Sequence, residues 1–131
     1  GITDSVELRN AVQRAARMLT RFRATDLYAA MDGAVQRLHE VPYTLATPDG
    51  ALERGTLDAL FCADGQWTLV EFKTDHVIDQ AALTTLLATK DYRAQVTRYL
   101  DAAERLLGVR SRPALCFLNV GGAVHVVTEG L

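Results

Sequence analysis

Thiols are scarce in this sequence: Cys62 and Cys116 are the only cysteines in 131 residues. They lie far apart, in strand-like apolar runs, without the clustered spacing that zinc or iron–sulfur ligation needs. Both are expected to be buried free thiols of a protein in a reducing, cytoplasmic compartment. Long hydrophobic runs are missing too. No segment approaches the ~20 apolar residues that span a bilayer, and no signal-peptide pattern is visible, so a membrane partner is not expected. A basic excess is likewise absent, the formal net charge being −2. That counts against a passive nucleic-acid-binding module, which carries a positive field, but not against a site that recruits cations. Internal repeats and low-complexity tracts are absent as well. What remains is an ordinary globular composition, 49% hydrophobic, at a length suited to one domain over residues 1–131.

The most informative stretch runs from Glu53 to Thr74 (ERGTLDALFCADGQWTLVEFKT). It reads as two strands: Leu57, Ala59 and Phe61 alternate with Asp58, Leu60 and Cys62, then Thr68, Val70 and Phe72 with Leu69, Glu71 and Lys73. Asp64 and Gly65 between them are the dipeptide of a two-residue type I′ turn, whose central residues both need positive φ.

Counting back from that turn sets Ala63 against Gln66, Leu60 against Leu69 and Asp58 against Glu71. Alternation then projects Asp58, Glu71 and Lys73 from one side of the sheet. Two opposed carboxylates repel and call for a counter-charge. A hard divalent cation with oxygen ligands would supply it, and Lys73 lies within reach. The same residues are also compatible with a surface hairpin carrying a Glu–Lys pair and a separate Asp.

Three segments carry a resemblance: Glu53 to Asp58 (ERGTLD), Leu69 to Asp75 (LVEFKTD) and Tyr92 to Tyr99 (YRAQVTRY). Together they resemble the PD-(D/E)XK nuclease superfamily, specifically the C-terminal nuclease domain of AddA/RecB-type helicase–nucleases. Those domains carry a G-x-hydrophobic-D strand, a (D/E)-hydrophobic-K-T strand and a Q-x-x-x-Y helix. The likeness extends from about Leu27 to Val127, and its joint spacing is more specific than E-x-K alone. It implies that Asp58, Glu71 and the Phe72 backbone carbonyl coordinate Mg²⁺ or Mn²⁺, that Lys73 is catalytic, and that Gln95 and Tyr99 border the site. Glu40, in a Glu40-Val41-Pro42-Tyr43 match, could face the site or be an exposed strand-start carboxylate. The family's metal-binding His precedes this strand on a helix. His39 adjoins the strand instead and does not match, which suggests a helix upstream of Gly1, with Gly1 a cloning scar and the chain a fragment of a longer helicase–nuclease. The implied activity is hydrolysis of DNA, single-stranded and exonuclease-type, beside ATP-dependent helicase motor domains in recombination and repair in the bacterial cytoplasm. The alternative is an inactive nuclease-like module that guides DNA or docks domains.

The other elements follow from periodicity and punctuation. Asp4 to Phe22 reads as a helix on which Arg14, Arg17 and Arg21 share one face, a row that could meet phosphate or a neighbouring domain, although such charge rows are more often solvated faces. A second helix is expected from Thr25 to Leu38, and a strand from His39 to Thr47 with Pro42 marking an edge or entry position. After Lys73 a polar link of about a dozen residues containing His76 precedes a helix from Asp79 or Ala81 to Leu107. A break is possible near Thr89 and Lys90, and Gly108 fits a C-terminal cap. Tyr92, Gln95 and Tyr99 fall on one face of that helix. Arg112 to Val120 and Ala123 to Thr128 are strands joined at Gly121 and Gly122, the first buried on both faces, with His125 at the surface of the second. The expected architecture is mixed α/β (α+β): a restriction-endonuclease-like mixed sheet flanked by helices, in the order α-α-β-β-β-α-β-β.

Overall fold

A computed structural model describes residues 2–129; Gly1 lies outside the described residues. The chain forms α1 (Ile2–Arg23), α2 (Asp26–Asp32), β1 (Gln36–Ala46), β2 (Leu52–Ala63), β3 (Gln66–Lys73), α3 (Gln80–Leu87), α4 (Lys90–Leu107), β4 (Arg112–Val120) and β5 (Ala123–Val127). The strands make one mixed sheet in the order β1-β2-β3-β4-β5. β1 to β3 form an antiparallel meander, β4 runs parallel to β3, and β5 returns antiparallel. A parallel pair needs a crossover of a dozen residues or more, and α3 and α4 provide it.

The elements follow from local chemistry. No Gly or Pro interrupts α1. Thr25 caps α2 by accepting a hydrogen bond from the Tyr28 N–H at 3.1 Å. Asp64 (φ 52°) and Gly65 (φ 75°) make the β2–β3 turn, with Ala63 opposite Gln66 as counted from the sequence. Gly108 (φ 76°) ends α4 and donates to the Glu104 carbonyl.

Each face of the sheet has its own core. Phe22 and Met31, from α1 and α2, pack on Ala59, Phe61, Val70, Ala114 and Cys116. On the other face Ala102 and Ala103 of α4 cover Tyr43, Leu45, Leu57, Leu60 and Leu69, while Leu83 and Val96 cover Leu115 and Phe117. Successive residues of β4 thus enter opposite cores, Ala114 and Cys116 one and Leu115 and Phe117 the other, so its apolar run is buried from both sides. Pro42 sits in β1, which pairs only with β2, an edge position that tolerates its missing N–H.

Several boundaries differ from the sequence expectation. α2 stops at Asp32, because Gly33 closes it and the Val35 N–H bonds the Cys62 carbonyl, so the chain joins the sheet from Gln36 instead of continuing helical to Leu38. The third expected helix is divided at the break anticipated near Thr89 and Lys90, with α3 ending at Leu87 and Thr89 preceding α4. The link after Lys73 is half the expected length, running from Thr74 to the Asp79 cap, and is pinned by a bridge between Val77 and Val120. Cys116 is buried, but Cys62, near the end of β2, is only half-buried. His125 is half-buried as well.

Candidate active site

Asp58 sits where the sheet loses its regular pairing. Along β1 and β2 the register holds its count on both sides of Glu40, which falls opposite Asp58, yet that pair is not made and Glu40 has φ 51°. The β2–β3 ladder likewise stops at Ala59 opposite Val70, one step short of Asp58 and Glu71. Side chains close the gap. The Asp58 N–H donates to Glu71 Oε1 at 3.2 Å, and the Phe72 N–H donates to Asp58 Oδ2 at 2.7 Å. Each carboxylate satisfies a backbone donor on the opposite strand, which a buried N–H requires. Alternation also breaks here. Leu57 and Leu60 both lie in the α4-side core although three residues apart, so Leu57 does not share a face with Ala59 and Phe61 as strict alternation predicts.

Glu71 is buried at 5% exposure. Its pKa is pushed from 4.5 to about 8, first by burial and then by the negative charge of Asp58, against a smaller opposing pull from Lys73. Two carboxyl groups so close favour holding one proton between them, or a cation in its place.

The neighbouring face of α4 completes the arrangement. Gln95 Oε1 accepts from Lys73 Nζ at 3.4 Å, and Gln95 Nε2 donates to Tyr99 Oη at 3.1 Å. Lys73 Nζ also lies 5.5 Å from the centre of the Tyr92 ring. Tyr92 in turn stacks on Phe117, and Tyr99 meets Tyr43 edge to face. The hydroxyls of Tyr92 and Tyr99 are both raised above the ordinary tyrosine pKa, chiefly by burial. Asp58, Glu71, Lys73, Gln95 and Tyr99 therefore come together. Glu40 does not join them: it is exposed, and among the described residues no three His, Cys, Asp or Glu side chains gather as a metal cluster. His76 is exposed on the link after β3.

The donor set fits a particular kind of cation site. Asp58, Glu71 and the Phe72 carbonyl offer three oxygen-bearing groups and no imidazole or thiolate. Mg²⁺ is commonly held by one or two carboxylates, the rest of its shell being water and substrate phosphate. The pair thus suits an open Mg²⁺ or Mn²⁺ site and not a closed protein cage.

Sequence reasoning missed the support beneath these residues. A Cβ at Gly55 would lie 2.5 Å from Tyr43 Oη, so only glycine lets the Tyr43 ring lie across β2. An isolated glycine within a strand is the signal that could have revealed this close approach. Arg98, one residue before Tyr99, pairs with Glu53 at 3.1 Å and ties α4 to β2.

No family model matches the chain. It is 30% identical over 128 residues to AddA of Heliobacterium modesticaldum, one of the subunits of an ATP-dependent helicase/nuclease, covering 87% of this chain and 9% of that protein. The chain therefore spans under a tenth of the length of that curated relative. Among solved structures, the crystal structure of SSO0001 aligns with 98% of this chain and 56% of its own, at a TM-score of 0.53 and 17% identity, a likeness of fold. Protein VC1899 from Vibrio cholerae aligns with 85% of this chain and 26% of its own, but its TM-score of 0.39 and 18% identity carry no argument. Among the described residues no helix is long and apolar enough to cross a membrane.

Proposed function

We propose that this chain is the metal-dependent nuclease part of a helicase–nuclease and hydrolyses phosphodiester bonds in DNA, acting on single strands during recombination or repair. The observation that carries the reading is the Asp58–Glu71 pair, held face to face at a break in the sheet with the Lys73 ammonium group beside it. The similarity to a helicase/nuclease protein supports the same class.

Asp58, Glu71 and the Phe72 carbonyl would hold Mg²⁺ or Mn²⁺. When bound, such an ion supplies positive charge against the scissile phosphate and lowers the pKa of a coordinated water. The protein's own groups do the rest. Lys73 orients the attacking water or helps deprotonate it, and its charge opposes the negative charge that builds in the transition state. Gln95 fixes Lys73 by accepting from Nζ, and Tyr99 fixes the Gln95 amide by accepting from Nε2. Glu71, whose carboxyl holds its proton up to about pH 8, must release it when a cation takes the site.

Calorimetric titration of Mn²⁺ tests the site. The wild type should bind saturably with proton release, and Asp58→Asn should bind far more weakly. Lys73→Ala should keep the fold and lose cleavage of a labelled oligonucleotide by ~100-fold or more, the scale of removing one preorganised charge. Cleavage at the wild-type rate by that variant would sink the assignment.

A second reading, an inactive nuclease-like module for DNA guiding or domain docking, draws on one observation. Asp58 Oδ2 and Glu71 Oε1 already accept backbone hydrogen bonds, and no third acidic, His or Cys side chain joins them among the described residues. The two readings part on thermal stability. A working site gains about 2.7 kcal/mol at a cation concentration of 100 Kd, and a purely structural pair gains nothing.

A further inference from the structure

Arg14, Arg17 and Arg21 line one side of α1, at i, i+3 and i+7, and the hydrolytic reaction makes no use of them. Arg14 and Arg17 are exposed and Arg21 is half-buried. None of the three enters an ion pair among the described residues, whereas Arg37, Arg98 and Arg110 each have a carboxylate partner. Together with Met18, Asn119 and Gly122 they line a cleft of about 190 Å³ between α1 and the β4–β5 turn. In a chain of net charge −2, this is a local concentration of positive charge.

Its place in the fold gives it meaning. The chain leaving Lys73 passes directly beneath the β4–β5 turn: Val77 bridges Val120, and the Gly121 N–H donates to the Val77 carbonyl at 2.7 Å. Met18 also lines a groove with Phe72 and Thr74, the two residues flanking Lys73. The arginine cleft is thus continuous with the end of β3 that carries Glu71 and Lys73, but lies on the opposite face of the sheet. The turn is braced by the Gly122 N–H donating to Asn119 Oδ1 at 3.1 Å. Guanidinium groups bind phosphate oxygens in bidentate fashion, and a helical row of them spaces successive contacts along a strand.

We propose that Arg14, Arg17 and Arg21, with the β4–β5 turn, form a track for the phosphate backbone of a single nucleic-acid strand, guiding it around the end of the sheet to or from the Lys73 site. The inference rests on the nuclease reading for its direction, but its test does not depend on hydrolysis. Anisotropy of a fluorescein-labelled oligodeoxythymidylate is measured in EDTA across a salt series. Arg14→Gln/Arg17→Gln/Arg21→Gln should bind about 100-fold more weakly than wild type near ~0.1 M salt, with a salt slope smaller by about 2, at ~0.7 per phosphate contact on a single strand. Arg14→Lys/Arg17→Lys/Arg21→Lys keeps the charge and should retain most of the affinity. Equal binding by the glutamine variant and wild type overturns the track. So does a lysine variant as weak as the glutamine one, or a wild type that binds polyglutamate but not the oligonucleotide. Cleavage of the same oligonucleotide by wild type in Mn²⁺ is scored separately. Weaker binding of the glutamine variant in EDTA supports the track whether or not the wild type cleaves, so failure of the track is distinguished from failure of the nuclease reading.

Discussion

Replacing Glu71 by Gln should stabilise the protein above neutral pH and flatten its response to pH. Glu71 is 5% exposed and its carboxyl lies beside Asp58, so burial and that charge push its pKa from 4.5 to about 8 in the folded chain. Below pH 4.5 both folded and unfolded states hold the proton, and the group has no effect. Between 4.5 and about 8 the folded state keeps a proton that the unfolded state has released, so stability falls as pH rises, and above about 8 the full loss is in place. At ~1.4 kcal/mol per pH unit, the interval from 4.5 to about 8 amounts to ~5 kcal/mol, an upper bound that local relaxation reduces. A glutamine side chain there would imitate the protonated acid, offering the Asp58 N–H an oxygen and Asp58 a donor. If half of the bound is realised, at ~3–6 °C per kcal/mol for a domain of this size, the variant should melt about 10 °C above wild type near pH 8.5 and match it near pH 4. Thermal melts in EDTA across that range read the difference. Parallel curves for the two proteins would refute the picture of a strained, proton-sharing pair. Millimolar Mn²⁺ should narrow the gap by raising only the wild type.

Other consequences can be checked with the same melts or simple chemistry. Gly55→Ala should lower stability by about 1–3 kcal/mol, because its Cβ meets the Tyr43 ring, and Gly55→Ala/Tyr43→Leu should recover part of that loss. Leu60→Ala, at a position with no exposed surface, should cost about 2–5 kcal/mol by denaturant titration. Ser111 is buried with no partner for its hydroxyl among the described residues, so Ser111→Ala should leave stability unchanged or raise it by about 1 kcal/mol. The Cys116 thiol is pushed by burial to about 11, so at pH 8 in native buffer Cys62 should alkylate much faster; mass spectrometry of the labelled protein decides it.

The sequence disclosed what is local and withheld what depends on contacts across the fold. The β2–β3 turn was legible because Asp64 and Gly65 tolerate the positive φ it needs, and the register followed by counting. The convergence of Asp58, Glu71 and Lys73 came from the same count; helical spacing put Gln95 and Tyr99 on one face, and the resemblance alone implied that this face borders the site. The end of α2 was misread because Val35 and Leu38 prolong the apolar period of Leu27 and Met31. The Val35 N–H bonds a strand that arrives many residues later, which no local pattern reveals. The change of face at Asp58 was hidden for a related reason: alternation assumes a regular ladder, and this one is broken by side chains reaching across it. Glu40 stays apart because its backbone departs from strand geometry at φ 51°.

The missing rung between β2 and β3 also governs how this site can change by mutation. Asp58 and Glu71 each replace a backbone acceptor, so truncating either to Ala leaves a half-buried N–H without its partner, at about 1–3 kcal/mol. Asn and Gln preserve an acceptor and relieve the charge repulsion. Drift away from chemistry would thus be cheap through the amides and expensive through small residues. On the nuclease reading, an inactive copy of this domain would be expected to keep residues of the same shape at these two positions. Acidic side chains standing there, in place of their amides, are accordingly the more telling sign of a cation to be held.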